Sequence, residues 1–366
     1  MNEKLCQLAL HLTSGLGSVL IRQLVAHFGS AEQVFRANLG TLMRVAGIGE
    51  ATARVIGNKE GLREAEMELK EAEKQEVQII FYTDDAYPRR LKSLYDAPAL
   101  LYWKGELDFN AGRFVGIVGT RKATDYGRGM VEEIVQGLMG KDTTIVSGLA
   151  YGVDIAAHRT CLKHHVPNVG VMATGIDNIY PAAHAKTAAE MQALGGILTE
   201  NRLHTKPDAM RFPARNRIIA GMSDATIIVE AAERGGALIT AEYANNYNRD
   251  VFAVPGNLTN SYSIGCNNLI RDHKAQIFTG VADLIEALRW SPTAPSDAST
   301  LLAALPAHFT QEESQVVAIL RQKGSMQIDD LTWESQIQAG KLATLLLNLE
   351  LQGYVRVLPG KRFALV

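Results

Sequence analysis

Apolar residues recur at helical spacing through the first 75 positions, at Leu5, Leu8 and Leu12 and again at Leu20, Leu24 and Phe28, with glycines interrupting the runs. From about residue 78 to 290 the pattern changes to short, near-continuous apolar runs separated by stretches long enough for a helix. These runs predict strands at Gln78–Tyr82, Phe114–Val118, Thr144–Val146, Val169–Ala173, Ile197–Thr199, Thr226–Val229 and Val251–Val254. Strands apolar on both faces belong in a parallel sheet covered by helices on each side, so the segment reads as an α/β doubly wound sheet. Ser291–Ser299 is rich in Pro, Ser and Ala and reads as a linker. Beyond it, helices are expected near Glu312–Lys323, Ile328–Leu331 and Gly340–Gln352, followed by two short strands around a Pro-Gly turn in YVRVLPGKRFALV. Three helices and a hairpin in that order predict a winged helix. The domain plan is therefore 1–75 helical, 76–290 the sheet domain, 291–307 linker and 308–366 the winged helix.

Composition narrows the field. A chain of 366 residues has room for two or three domains, and 47% hydrophobic with 21% charged residues describes a globular protein. Thirty-seven Lys and Arg against 39 Asp and Glu leave a net charge of −2, so a case for nucleic acid must rest on local patches. No apolar run approaches the roughly 20 residues that span a bilayer, and MNEKLCQLAL does not read as a signal peptide. Cys6, Cys161 and Cys266 lie far apart with no paired spacing, which points away from a disulfide framework or zinc knuckle and towards a cytoplasmic location.

Candidate chemistry clusters where predicted strands end. Gly119-Thr120-Arg121-Lys122 follows the strand ending at Val118: either a phosphate cradle with Arg121 as the fork, or a tight turn with solvated cations. Ser147-Gly148-Leu149-Ala150-Tyr151-Gly152-Val153-Asp154 follows the next strand. Asp154 and His158 share a helical face and are expected to serve their own helix rather than act as an acid/base pair. The densest basic stretch runs from Lys206 to Arg217 and combines four cations with Phe212. It reads either as a single-strand binder, cations on phosphates and the ring on a base, or as an exposed loop with Phe212 in the core. Gly235-Gly236 opens a predicted helix, again a phosphate-type terminus.

Other chemistries lack their signatures. No G-x-G-x-x-G follows the first strand, no complete P-loop occurs, and H-E-x-x-H, C-x-x-C and G-x-S-x-G are absent. Hence no cofactor, no metal and no catalytic nucleophile are expected, and the adjacent His164-His165 point opposite ways on a helix.

Taken together, these motifs resemble the bacterial DNA-processing protein A family, also called DprA or Smf. The resemblance spans about residues 113–280. It rests on Gly119-Thr120-Arg121 for Gly-Ser-Arg, and on Ser147–Asp154 for S-G-L-A-R-G-I-D with Tyr151 at the usual arginine. Tyr180-Pro181-Ala182-Ala183-His184 carries Ala182 where a basic residue is common. Phe212–Ser223 matches F-P-x-R-N-R-I-I-[AS]-G-L-S with Met222 for Leu, and Gly235–Glu242 and Pro255-Gly256…Gly265-Cys266-Asn267-Asn268-Leu269-Ile270 complete the set. Each motif alone is weak; five in order are strong.

The resemblance implies a Rossmann-like core, single-stranded DNA bound in a positive pocket, homodimers, and loading of the RecA recombinase onto DNA in natural transformation, with no enzymatic step. By matched position it nominates Arg121, Lys206, Phe212, Arg215, Asn216 and Arg217 for the pocket, alongside Gly119, Thr120, Lys122, Ser147, Gly148, Gly235 and Gly236. Tyr151 and Ala182 subtract charge from it, leaving Lys122 or Lys186 to compensate.

The flanks admit more than one role. Val45–Ala51 and Thr13–Gly17 have the Gly-x-Gly turns of helix-hairpin-helix elements, or are packing turns of a SAM-like helical domain. The winged helix offers either a protein contact or a weak duplex contact through Arg356, Lys361 and Arg362 on the wing. The alternative activity is nucleoside-monophosphate phosphoribohydrolase, after Gly235, Gly236, Thr240 and Glu242, although their spacing departs from that loop.

Overall fold

The computed structural model describes residues 2–290, 309–358 and 362–365. The expected linker, and the Pro-Gly turn with Lys361, lie outside the described residues. Residues 1–288 form one compact unit and residues 289–366 a second.

In the first unit, the strands β1 (Gln78–Phe81), β2 (Leu100–Glu106), β3 (Arg113–Val118), β4 (Thr143–Ser147), β5 (Asn168–Val171), β6 (Gly195–Thr199), β7 (Ala225–Ile228), β8 (Asp250–Ala253) and β9 (Gln276–Ile277) make one sheet. Its order is β1-β2-β6-β5-β4-β3-β7-β8-β9. From β6 to β9 every neighbour is parallel; β1–β2 and β2–β6 are antiparallel. The doubly wound α/β sheet read from the apolar runs is thus present, with β3 to β7 almost wholly buried.

Sequence reading missed two strands. β9 is two exposed residues at the edge and leaves no pattern. β2 carries a legible run, Leu100-Leu101-Tyr102-Trp103, whose residues alternate between the two faces: Leu100 and Tyr102 join one core, Leu101 and Trp103 the other. At its far end Gly105 opposes Gly196, and a Cβ on Gly105 would sit 2.0 Å from the Gly195 carbonyl oxygen, so only glycine permits this pairing.

Residues 3–74 are helical as expected, in six helices from Glu3–Leu12 to Glu60–Lys74. They do not form a separate core: Leu8, Leu24, Val34 and Ile56 share one apolar cluster with Phe81, Tyr102 and Ile197 of the sheet. Glu68, buried on the last of these helices, accepts from the Tyr102 hydroxyl (3.0 Å) and the Leu203 N–H (2.7 Å). The basic stretch expected as a loop ends in a helix, Arg211–Met222, because Ile218, Ile219 and Met222 pack on the opposite face of the sheet. Cys6, Cys161 and Cys266 are free and buried. Among the described residues, no helix is long and apolar enough to cross a membrane.

The second unit holds the helices Gln311–Lys323, Ile328–Ser335 and Ala339–Leu351 and a three-stranded sheet, β10 (Met326–Gln327), β12 (Arg362–Leu365) and β11 (Val355–Leu358) in that order. Thr310 and Glu313 cap the first helix reciprocally. Leu342, Leu345, Leu346 and Leu349 of the third helix fill the core with Val316, Leu320 and Leu331.

If the N-terminal helices are integral to the sheet unit, Glu68→Ala strands two buried donors and lowers the unfolding free energy by about 2–3 kcal/mol. Urea denaturation followed by Trp fluorescence measures it; a change within ~0.5 kcal/mol, the ordinary range of surface substitutions, would contradict a shared core.

Candidate nucleic-acid interface at the strand ends

Strand order reverses at β3, which pairs with β4 on one side and with β7 on the other. A doubly wound sheet opens a crevice at such a reversal. Here a cleft of about 1140 Å3 lies beyond the carboxyl ends of β3 and β7, walled by the loops after them and by the start of the helix Arg211–Met222.

The loop after β3 is fixed from below. Glu230, 1% exposed, accepts from the Thr124 N–H (2.9 Å) and hydroxyl (2.6 Å) through its carboxylate, and from the Thr120 N–H (2.7 Å) through its carbonyl. Two of the loop's amides are therefore already used. Gly119 is required by packing: a Cβ there would fall 2.5 Å from Val153 and 3.0 Å from the Glu230 carbonyl oxygen. Of the two readings of this loop, a cradle would lack the Thr120 amide, and the loop presents the exposed side chains of Arg121 and Lys122.

The loop after β4 supports rather than lines the cleft. Ser147 is buried and donates to the Ile117 carbonyl (2.6 Å). Gly148 is crowded, its Cβ position lying 2.3 Å from an Asp154 oxygen and 2.6 Å from the Arg215 guanidinium. Gly152, at φ +81°, starts the helix Val153–Lys163 with its Cβ position 2.1 Å from the Thr120 carbonyl oxygen. His158 is fully buried, its Nε2 2.6 Å from the Gly148 carbonyl oxygen and its Nδ1 2.9 Å from Asn168 Oδ1, and burial drives its pKa down to about 4. As read from sequence, Asp154 and His158 serve the local fold.

The third wall divides the expected basic cluster. Phe212 is half-buried in the cleft, with the Arg121 guanidinium 5.6 Å and the Tyr180 ring 5.8 Å from its centroid. Arg215, 6% exposed, donates to the Val171 carbonyl and to Asn216 Oδ1 (3.2 Å), so it forms the floor. Burial lowers its pKa and raises that of Asp154 beside it, each partly offset by the other's charge. Asn216 donates to the Gly236 carbonyl (3.0 Å), tying this helix to the next. Arg217 is turned away, paired with Glu200 and with the Asp96 carbonyl (2.8 Å), and lines a different recess. Lys206 is exposed and does not border the cleft, whereas its neighbours Pro207, Asp208 and Ala209 do. For the last two cations the cause is periodicity: from residue 211 the chain is a helix, and Arg215 and Arg217, two apart, face opposite sides of it.

Gly235-Gly236 also lines the cleft, exposed, with no side chain capping the eleven-residue helix Gly236–Asn246. Arg234, adjacent to this terminus and exposed in the cleft, was not singled out from sequence; its position directly before the glycine pair was the available signal. Lys186 pairs with Glu190 (3.8 Å) and does not border the cleft; Lys122 does. In all, the lining holds four cations, Arg121, Lys122, Arg215 and Arg234, and four acids, Asp154, Asp208, Glu233 and Glu242. The cleft is charge-balanced, so anion binding depends on where the cations stand rather than on net sign.

The family model described as DNA recombination-mediator protein A matches residues 78–289, and the DprA winged helix domain matches residues 291–361. The Smf protein of a Synechocystis species is 32% identical over 99% of this chain and 98% of its own length. The chain belongs to the DNA recombination-mediator protein A family. The DNA processing protein DprA of Bacillus subtilis is 40% identical over 58% of this chain and 72% of its own. Among solved structures, the Streptococcus pneumoniae DprA superposes with a TM-score of 0.64 at 32% identity, covering 78% of this chain and 98% of that one. A Helicobacter pylori DNA processing protein A, solved to describe its single-stranded DNA binding mode, gives 0.53 at 29% identity over 58% and 95%. The family's Rossmann-like core and winged helix are therefore the architecture here.

Gly152→Ala puts a methyl group into the Thr120 backbone at a left-handed φ and lowers stability by about 2–4 kcal/mol. Gly129→Ala, exposed on the helix Asp125–Leu138 with nothing within 4 Å of its Cβ, is neutral or stabilising by roughly 0.5–1 kcal/mol. Urea denaturation of both variants checks the pair; equal effects would contradict the contact between the two loops.

Proposed function

We propose that this protein binds single-stranded DNA in the strand-end cleft and acts as a recombination mediator, loading a RecA-type recombinase onto incoming DNA in natural transformation. The observation that carries the reading is the Arg121 guanidinium over the Phe212 ring, 5.6 Å from its centroid, in a cleft also lined by Lys122 and the uncapped Gly235-Gly236 terminus. Cations and free helix-terminal amides suit backbone phosphates, and a half-exposed ring suits a base; neither reads sequence. Family membership and the single-stranded DNA binding of the Helicobacter pylori relative support the same ligand.

The site residues in this reading are Arg121, Lys122, Phe212, Arg234, Gly235 and Gly236. Arg215 and Asn216 act beneath them as positioning residues, and Gly119, Thr120, Ser147 and Gly148 hold the loops. The protein works as a homodimer in the cytoplasm and performs no catalytic step of its own. In this reading the N-terminal helices work as part of the sheet domain whose core they share, followed by a linker and a winged helix. The last makes a protein contact rather than reading duplex: its third helix exposes Ala343, Thr344, Leu347 and Leu351, and Lys341 is paired with Glu312 (2.6 Å). No observation favours the phosphoribohydrolase reading, since the Thr240 hydroxyl donates back to Gly236 (3.1 Å) within its own helix.

Fluorescence anisotropy with labelled oligo-dT and duplex of equal length, over a salt series, tests this. The single strand should bind preferentially. Arg121→Ala should weaken it about tenfold and reduce the salt slope by about 0.7, whereas Arg217→Ala leaves the slope unchanged. Equal affinity for duplex, or indifference to Arg121→Ala, would contradict the proposal.

A further inference from the structure

A second recess, of about 510 Å3, adjoins the strand-end cleft within the first unit. Its walls come from the start of the helix Ser18–Phe28 and from the segment that follows β6. The two hollows share a ridge, residues 205–212: Thr205 and Arg211 border the recess, while Pro207, Asp208, Ala209 and Phe212 border the cleft. Lys206 and Arg211 on this ridge are exposed, and among the described residues neither pairs with a carboxylate. Arg211 donates to a neutral acceptor, Asn201 Oδ1 (3.2 Å). The acids of the recess are already engaged. Glu200 is paired with Arg217, and the carboxylate oxygens of Asp96 lie 2.8 and 2.7 Å from the Tyr247 hydroxyl. The ridge therefore carries uncompensated positive charge between two hollows.

Tyr95, the chain neighbour of Asp96 in the lining, is 70% exposed. Its surroundings are cationic. Arg22, from the helix whose first residues wall the recess, donates to the carbonyls of Tyr95 and of Leu94 (3.1 Å for the latter). The Arg22 guanidinium and the Lys92 ammonium lie 5.0 and 5.4 Å from the centroid of the Tyr82 ring, and among the described residues neither is paired with a carboxylate. Cations interleaved with an exposed ring are what a single strand needs, phosphates on the charges and a base on the ring.

Building on the single-strand reading above, we propose that the bound strand does not end in the cleft: it crosses the ridge on Lys206 and Arg211 and continues through the second recess to Tyr95. Sites that hold a small molecule measure about 300–1,000 Å3, so the recess has room for a nucleotide. Its contacts are to phosphate and to a ring face, so this extension is as indifferent to sequence as the cleft. It also makes the N-terminal helices, through Arg22 and the start of their second helix, part of the DNA-binding surface.

The test is a length series of labelled oligo-dT, from about 4 nucleotides upward, bound to the wild-type protein, Tyr95→Ala, Tyr95→Phe and Arg211→Ala and followed by anisotropy. Tyr95 and Arg211 are exposed, so these substitutions leave the core intact. The shortest strands fill the cleft alone, and their affinity should be the same for all four proteins. On long strands Tyr95→Ala should lose about tenfold, Tyr95→Phe should keep the wild-type affinity, and Arg211→Ala should lower the salt slope by about 0.7. Wild-type affinity of Tyr95→Ala and Arg211→Ala at every length would overturn the extended path, and so would a loss equal at all lengths. In either case, weakened binding by Arg121→Ala leaves the single-strand reading standing. A wild-type protein that binds no oligonucleotide at low salt would overturn both.

Discussion

Glu230 sits at the end of β7 with its carboxylate buried beneath the loop that follows β3. Through one residue, the ends of the two strands that flank the reversal of the sheet are joined: the side chain receives Thr124 and the carbonyl receives Thr120. A buried carboxylate is tolerated only where donors surround it, and here the donors come from the loop that carries Arg121. Gly127 makes room for it, since a Cβ there would lie 2.2 Å from its oxygen. The position of Arg121, and with it the approach of its guanidinium to the Phe212 ring, follows from this clamp.

The cleft built on that clamp differs from a simple basic groove. Its cations and acids are equal in number, and the buried Arg215 and Asp154 partly offset one another at the floor. What lines it is an arrangement: two cations on the loop after β3, one cation and two glycines after β7, and the rings of Phe212 and Tyr180. Such a site places phosphates at fixed points and leaves bases to the rings, which suits a flexible single strand better than a rigid duplex.

Much of the fold was legible because burial on both faces writes itself as continuous apolar runs; seven of the nine strands left that mark. β2 was missed although Leu100–Trp103 is as apolar as any strand and pairs with the neighbouring β1 as well as with the distant β6. At the site, glycines after strands and the Arg121 loop were visible as strand-end motifs. The direction of each arginine between 211 and 217 was not, since that depends on the helix the segment adopts and on partners such as Glu200 and Asp96 far away in sequence. Tyr180 and Tyr151 were likewise read as motif positions, and their convergence with Phe212 exists only in three dimensions.

The most direct test of the account is hydrogen–deuterium exchange on the full chain with and without an oligo-dT strand. The account predicts protection at residues 119–122, at the start of the helix Arg211–Met222 and at the Gly235–Ala237 amides, while the 217–222 half of that helix and the β10–β12 sheet exchange unchanged. Protection confined to residues 311–365, or to the glycine turns at 15–17 and 47–49, would contradict it by placing the strand away from the cleft.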